Sequence, residues 1–265
     1  MRSLRLLALL LVVVLVGPLF SPYNPGFSDE TNYGKLHAPS LTHPFGTDKL
    51  ARDVMSRVLT GAQLSLEISV TAVCIALLIG TAYGLLAAMA GGRSDAALMR
   101  ALDVGLSVPR ILLLLPIAAT WPFLRVWMLA LILGLSGWFE IARLVRGDAQ
   151  GILVRDFVLA TKAMGVGRFR LVVRHLLPHL LPTLLVAGTL ALGTTIALEA
   201  GLAFLGLGIS SAAPSLGTLL HDSIASPDYW WLSVFPGLTI VLIMLGCNIL
   251  GDTLRAAFAP PQLHA

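Results

Sequence analysis

The chain has 265 residues, 57% of them hydrophobic and only 12% charged, with a mean hydropathy of +0.86. Soluble domains carry about a quarter charged residues, so this composition excludes an ordinary globular enzyme and points to a membrane protein. The net charge of +4 does not mark a nucleic-acid binder, because the arginines border apolar runs instead of gathering in a basic domain.

Arg2 and Arg5 precede a first apolar run, 6–20, which Gly17-Pro18 closes. No A-x-A cleavage pattern follows, so the run is predicted to be an uncleaved first span with the amino terminus inside. Residues 21–62 are polar and rich in Pro and Gly and are expected outside, with a surface-lying amphipathic helix over 49–60. There Asp53 and Arg57 stand at i,i+4, a pair worth a few tenths of a kcal/mol. His37 and His43 have no neighbours at metal-ligand spacing and are expected to be loop histidines. Five further apolar runs, 64–90, 102–120, 126–142, 180–204 and 232–251, each approach the length needed to cross ~30 Å of hydrocarbon. The expectation is an all-α integral membrane fold of six spans. Cys74 and Cys247 lie inside these runs and are expected as small hydrophobes, not as a disulfide or zinc ligands. The segments then placed inside, 1–5, 91–101, 143–179 and the tail after 251, hold 12 of the 18 Lys and Arg, and the external segments hold five. This bias puts 147–178 in the cytoplasm.

Gly80 and Gly84 have the spacing that lets helix backbones approach closely, expected here within the subunit. Pro109, Pro116 and Pro122 should kink the third and fourth spans, and irregular backbone in a membrane must be covered by protein or line a cavity. Charges within the apolar runs cost about 2.5–3.5 kcal/mol at mid-membrane, so they face protein, a cavity or headgroups. Glu67, Asp103 and Glu140 fall near span ends, where capping or snorkelling accounts for them. Arg110 and Glu199 lie deeper and are the candidate gate or translocation-path residues. In the external segment 206–231, Trp230 and Trp231 are expected in the headgroup belt.

The three lysines belong to no phosphate loop, since Gly34-Lys35 is followed by Leu36, and no G-x-S-x-G or H-E-x-x-H word occurs. The chain is therefore expected to be non-catalytic, with no cofactor or metal of its own, and driven by another chain or an ion gradient. A stand-alone secondary transporter would show inverted repeats and paired intramembrane acids, and neither is visible. A bare scaffold would not need the polar element at 147–178.

In that element Asp156 is predicted as an N-cap, 157–164 as two helical turns, and Gly165 as the left-handed residue that ends them. A second helix before Pro178 should bury Phe169, Val172, Val173 and Leu176 and expose Arg168, Arg170 and Arg174. The order Ala160, Gly165, Leu177-Pro178 resembles the "EAA" loop of ABC importer permeases. The words His43-Pro44-Phe45-Gly46-Thr47-Asp48, Leu144-Val145-Arg146-Gly147, Glu199-Ala200-Gly201-Leu202, Phe235-Pro236-Gly237 and Asn248-Ile249-Leu250-Gly251-Asp252 are similar to the second permease of dipeptide, oligopeptide and nickel importers. The resemblance implies a type I importer permease in a bacterial inner membrane, with a homologous permease as heterodimer partner. It further implies two ATPases that bind ATP and Mg, an external solute-binding protein, and short peptides as cargo, with nickel or a metal chelate as the alternative. Asp156, Phe157, Leu159, Ala160, Thr161, Ala163 and Gly165 would then contact the ATPase. The implied organisation is an anchor over 1–20, an external segment over 21–62, a permease domain over 63–255 and a tail over 256–265. Leu159 stands where that family usually has Glu, and Thr161 where it usually has Ala. With Asp156 as N-cap, position 159 is N3, so the capping box is lost. Either Asp156 caps alone or the ATPase accepts an apolar residue there.

Overall fold

The computed structural model describes residues 17, 23–26, 36–121, 125–209 and 214–258. Eight helices occur among them: α1 Val54–Ala90, α2 Gly92–Ser107, α3 Arg110–Ala119, α4 Val126–Leu153, α5 Asp156–Ala163, α6 Arg168–Leu207, α7 Leu216–Ile224 and α8 Trp231–Phe258. Of these, α1, α4, α6 and α8 are long and apolar enough to cross a membrane. The run 102–120, expected as one span, is instead the broken pair α2 and α3, bent by 71°. The break falls at Pro109, whose ring and missing N–H push Val108 into an extended conformation (φ −96°, ψ 126°). Apart from Gly17, the run 6–20 lies outside the described residues, as does Pro122.

The separate surface helix expected over 49–60 does not form. Asp53 starts α1 directly, and its carboxylate accepts the backbone N–H of Ser56 (2.8 Å), the Ser56 hydroxyl (2.6 Å) and a contact from His43 Nδ1 (2.9 Å). Because Asp53 is spent on the cap, it does not pair with Arg57. Arg57 is buried and bonds to Asp48, with Asp222 at 3.5 Å. Gly61 lets the backbone at the start of α7 lie directly against α1, since an added Cβ would meet Pro214 O at 3.1 Å. The resulting 37-residue helix is about 55 Å long and extends well past the hydrocarbon.

α1 and α4 run parallel and form the main seam of the bundle. A Cβ at Gly134 would fall 2.8 Å from Ala72 O, one at Gly80 2.8 Å from Trp138 O, and one at Gly84 2.6 Å from Ala142 O. The Gly80/Gly84 spacing thus does pack within the subunit, and Gly134 of α4 extends the same seam against Ala72. α8 runs antiparallel to α6, with Gly193 against Cys247 and Gly251 against Leu190. Three apolar clusters stack along the bundle: Val58, Leu66, Leu216 and Trp231 at the α7 end; Ile68, Leu114, Leu133 and Leu202 in the middle; Leu85, Val145, Val158 and Leu176 at the α5 end.

α6 continues through Pro178 and Pro182, although a helix end was expected before Pro178. A π turn over Val172–Leu176 widens the coil just ahead of Pro178, and Leu177 N–H reaches Val172 O, so the ring has room. The wider turn also rotates the expected apolar face: Phe169 is 83% and Val173 48% exposed, while Leu171 and Leu176 are buried. Trp231 is likewise not in a headgroup belt. It is buried in the first turn of α8, and its Nε1 donates to Thr47 O at 3.2 Å, whereas Trp230 remains exposed. The 43–47 loop closes over it, with Phe45 stacked on Phe235 at 4.0 Å between centroids.

Candidate functional site

α5 is eight residues long and is held by two of them. Val158 (0% exposed) enters the cluster with Leu85, Leu171 and Leu176, and Thr161 is buried beside it with its hydroxyl donating to Phe157 O at 2.7 Å. The i, i+3 spacing of these two residues was a signal available in the sequence. Phe157, Leu159, Ala160, Ala163 and Gly165 all face outward, and the Phe157 ring stacks on His179 at 5.1 Å. Asp156 is the first helical residue and makes no cap hydrogen bond; the N-cap is Arg155. Leu159 is therefore N4, one place too far for a capping box, and its 50% exposed side chain is free for a contact.

The end of α5 is built as expected. Gly165 has φ +75°, and two bonds close the turn, Gly165 N–H to Lys162 O (3.0 Å) and Val166 N–H to Thr161 O (3.4 Å). This is the paired 5→2 and 6→1 pattern that a left-handed C′ residue makes possible. Val154, Met164 and Phe169 add exposed apolar surface around it, ringed by Arg155, Lys162, Arg168 and Arg170. At the same end Asp95 ties α2 to α4 by accepting from Arg146 Nε (3.1 Å) and Gln150 Nε2 (2.9 Å).

Arg110 and Glu199, expected together as gate or path residues, lie in different places. Arg110 is half-buried and lines a cavity of about 210 Å³ between α1, α3, α4 and α6, together with Glu140, Gly137, Ala76, Thr194 and Thr195. A second cavity of about 400 Å³ shares Leu144, Ala187 and Leu190 with it and continues to Asp148, Thr183 and Arg255 at the α5 end. The two form one groove along α4 and α6, from mid-bundle to the α5 end. Glu140 was expected only as a span-end charge, because its place on the groove depends on the approach of α3.

Glu199 is fully buried away from the groove. It accepts from Ser65 Oγ at 2.9 Å, and Ser65 Oγ in turn accepts the backbone N–H of Leu216 at 3.2 Å. Leu216 is the first residue of α7, whose start is also capped by a Ser215/Thr218 capping box. Gly217 brings α7 onto α6 so closely that a Cβ would fall 2.7 Å from Ala200 O. Glu199 therefore pins the start of α7 between α1 and α6. The last turn of α6 leaves helical geometry at Gly206, φ +82°, and so directs the chain toward α7.

Residues 80–262 match the family model described as binding-protein-dependent transport system inner membrane component. The oligopeptide transport system permease protein OppC of Bacillus subtilis is 34% identical over 261 residues, spanning 98% of this chain and 85% of that protein. The dipeptide transport system permease protein DppC of the same organism is 36% identical over 263 residues, 98% of this chain and 81% of that one. A chain of the MetNI methionine ABC transporter in an inward-facing conformation matches with a TM-score of 0.65 at 20% identity, over 78% of this chain and 98% of that one. At that identity the likeness is one of fold.

Proposed function

This chain belongs to the family of binding-protein-dependent transport system inner membrane components, and from that premise we propose that it conducts short peptides as one permease subunit of an ATP-driven importer. The observation that supports this reading best is the 34–36% identity, over 98% of the chain, to oligopeptide and dipeptide permeases of B. subtilis. Its fold is the all-α type I importer permease fold, in a bacterial inner membrane. The partners we assign are a homologous permease, two ATPases that bind ATP and Mg, and an external solute-binding protein; catalysis belongs to the ATPases. The amino terminus is cytoplasmic, which puts the α5 end with its arginines inside and α7 outside.

In this reading α5 receives the ATPase movement. Its outward side chains, Phe157 and Leu159 among them, meet the partner, while Val158 and Thr161 pass the displacement to α1 and α6. Nucleotide then biases two packings of the spans, one open inward and one outward. The exposed Leu159 fits a partner contact of apolar chemistry. Purification of the tagged chain from native membranes in mild detergent is expected to bring down two ATPases and a sister permease, and the reconstituted complex should accumulate dialanine on ATP addition. A homomeric species without ATPase would overturn the importer reading, and ATP-driven uptake of nickel without peptide would replace the cargo.

Glu199 serves the external gate by pinning α7. Glu199→Ala is expected to lower ATP-coupled uptake about tenfold, a coupling change in the usual range. Glu199→Gln should retain most of it, because an amide oxygen still accepts from Ser65. Uptake in reconstituted vesicles reads both, and an alanine variant with full coupled uptake would remove the gate role.

A further inference from the structure

The mid-bundle end of the groove has a chemistry that the importer reading does not yet use. Arg110 Nε donates to Ser136 Oγ (2.9 Å) and Nη2 to Leu133 O (2.6 Å), which fixes the guanidinium plane against α4. The guanidinium lies over Gly137, where an added Cβ would come within 2.8 Å of Nη2. Glu140 is three residues further along α4 and so sits on the same face, one turn away. It is the carboxylate close enough to act on Arg110 electrostatically. Yet neither residue takes part in any ion pair among the described residues. The rest of the wall is uncharged: Val73, Ile141, Leu144 and Leu190, alanines of α1 and α6, and the hydroxyls of Thr194 and Thr195.

A cation and an anion side by side and unpaired, on a wall otherwise nearly without charge, complement a ligand that carries both charges a few ångströms apart. We propose that Arg110 and Glu140 form a subsite for zwitterionic cargo, Arg110 taking the carboxylate terminus of a short peptide and Glu140 its ammonium terminus. The guanidinium fork suits a carboxylate, and the aliphatic and hydroxyl-bearing wall adds no competing charge around the cargo's own side chains. A free metal ion fits poorly: Arg110 repels it, and no group of three metal-ligating side chains exists among the described residues. The inference rests on the peptide reading above and adds to it that the permease itself reads the cargo's two ends.

The test uses the purified complex of permeases and ATPases without its external binding protein, so that only the membrane part selects. Saturation-transfer NMR would compare dialanine, N-acetyl-dialanine and dialanine amide on the wild-type complex, Glu140→Gln and Gly137→Ala. The wild type should favour free-ended dialanine over either capped form by about tenfold, within the range that leaving one buried polar group unpaired produces. Glu140→Gln, an isosteric change of an exposed side chain, should abolish discrimination against the acetylated peptide and keep that against the amide. Gly137→Ala displaces the guanidinium and should do the reverse. Equal responses to all three peptides in the wild type, or unchanged ratios in both variants, would overturn the subsite. ATP-driven uptake of dialanine by the complete system is measured in parallel. Its absence would overturn the peptide reading, whereas uptake with unchanged ratios overturns the subsite alone.

Discussion

Leucine at Gly84 is expected to prevent this protein from accumulating in folded form. The added Cβ alone would fall 2.6 Å from Ala142 O and 2.9 Å from Val145 Cβ, and the first of these is backbone. A flexible side chain yields at small cost, but here the whole of α4 must move. Overpacking of a well-filled core costs about 1–3 kcal/mol for a few extra methylenes, and a leucine adds more than that. The surroundings offer no compensation, because lipid is as apolar as the helix faces and close packing is what holds them. Separation of α1 from α4 would also disturb the middle and α5-end clusters, which both helices share. Gly84→Ala should already destabilise the detergent-solubilised protein by about 1–3 kcal/mol. Gly147, on α4 with nothing within 4 Å of an added Cβ, is the control. Gly147→Ala should be neutral or slightly stabilising, since Ala has the higher helix propensity by ~1 kcal/mol. Gel filtration and thermal unfolding of the three variants would show the order, and a Gly84→Leu protein as stable as the control would refute the seam.

Where composition and turn chemistry decide the structure, the sequence was legible. Four of the six apolar runs, those at 64–90, 126–142, 180–204 and 232–251, the seam glycines Gly80 and Gly84, and the positive φ of Gly165 all follow from local rules that surrounding structure did not override. Several of the misses share a different cause: they depended on partners that only the fold brings near. Arg57 was assigned to Asp53, its neighbour in a helix, but Asp48 and Asp222 reach it through the folded loop and α7. Trp231 had the composition of an interfacial aromatic, and the Thr47 carbonyl that buries it lies 184 residues away. Pro178 normally ends a helix, and only the π turn before it, supported by Leu171 and Leu176 in the core, keeps α6 going. The groove shows the same limit. Arg110 was visible as a deep charge that needed company, but Gly137 and Glu140 became its setting only when α3 folded back onto α4.

A valine at Gly165 tests the other end of the machine. Nothing lies within 4 Å of a Cβ added there, so crowding is not the obstacle; the obstacle is φ +75°. A β-branched residue in the left-handed region is strained by about 1–3 kcal/mol. Returning to negative φ breaks the bonds from Gly165 N–H to Lys162 O and from Val166 N–H to Thr161 O, and re-aims the chain between α5 and Arg168. Both routes loosen the grip of Val158 and Thr161, which we take to carry motion from the ATPases into α1 and α6. The strain is small against the stability of the bundle, so the spans should stay folded while coupling suffers. Gly165→Val is therefore expected to cut peptide uptake per ATP hydrolysed by about tenfold or more, with near-normal thermal unfolding. Gly165→Asn should fall between valine and wild type, because asparagine tolerates the left-handed region far better than a β-branched residue. Uptake and phosphate release measured together in the same vesicles give the ratio directly. If valine, asparagine and glycine gave equal ratios, the fixed turn would not be what couples α5 to the spans, and the contact through Phe157 and Leu159 on the outer face would have to carry the coupling alone.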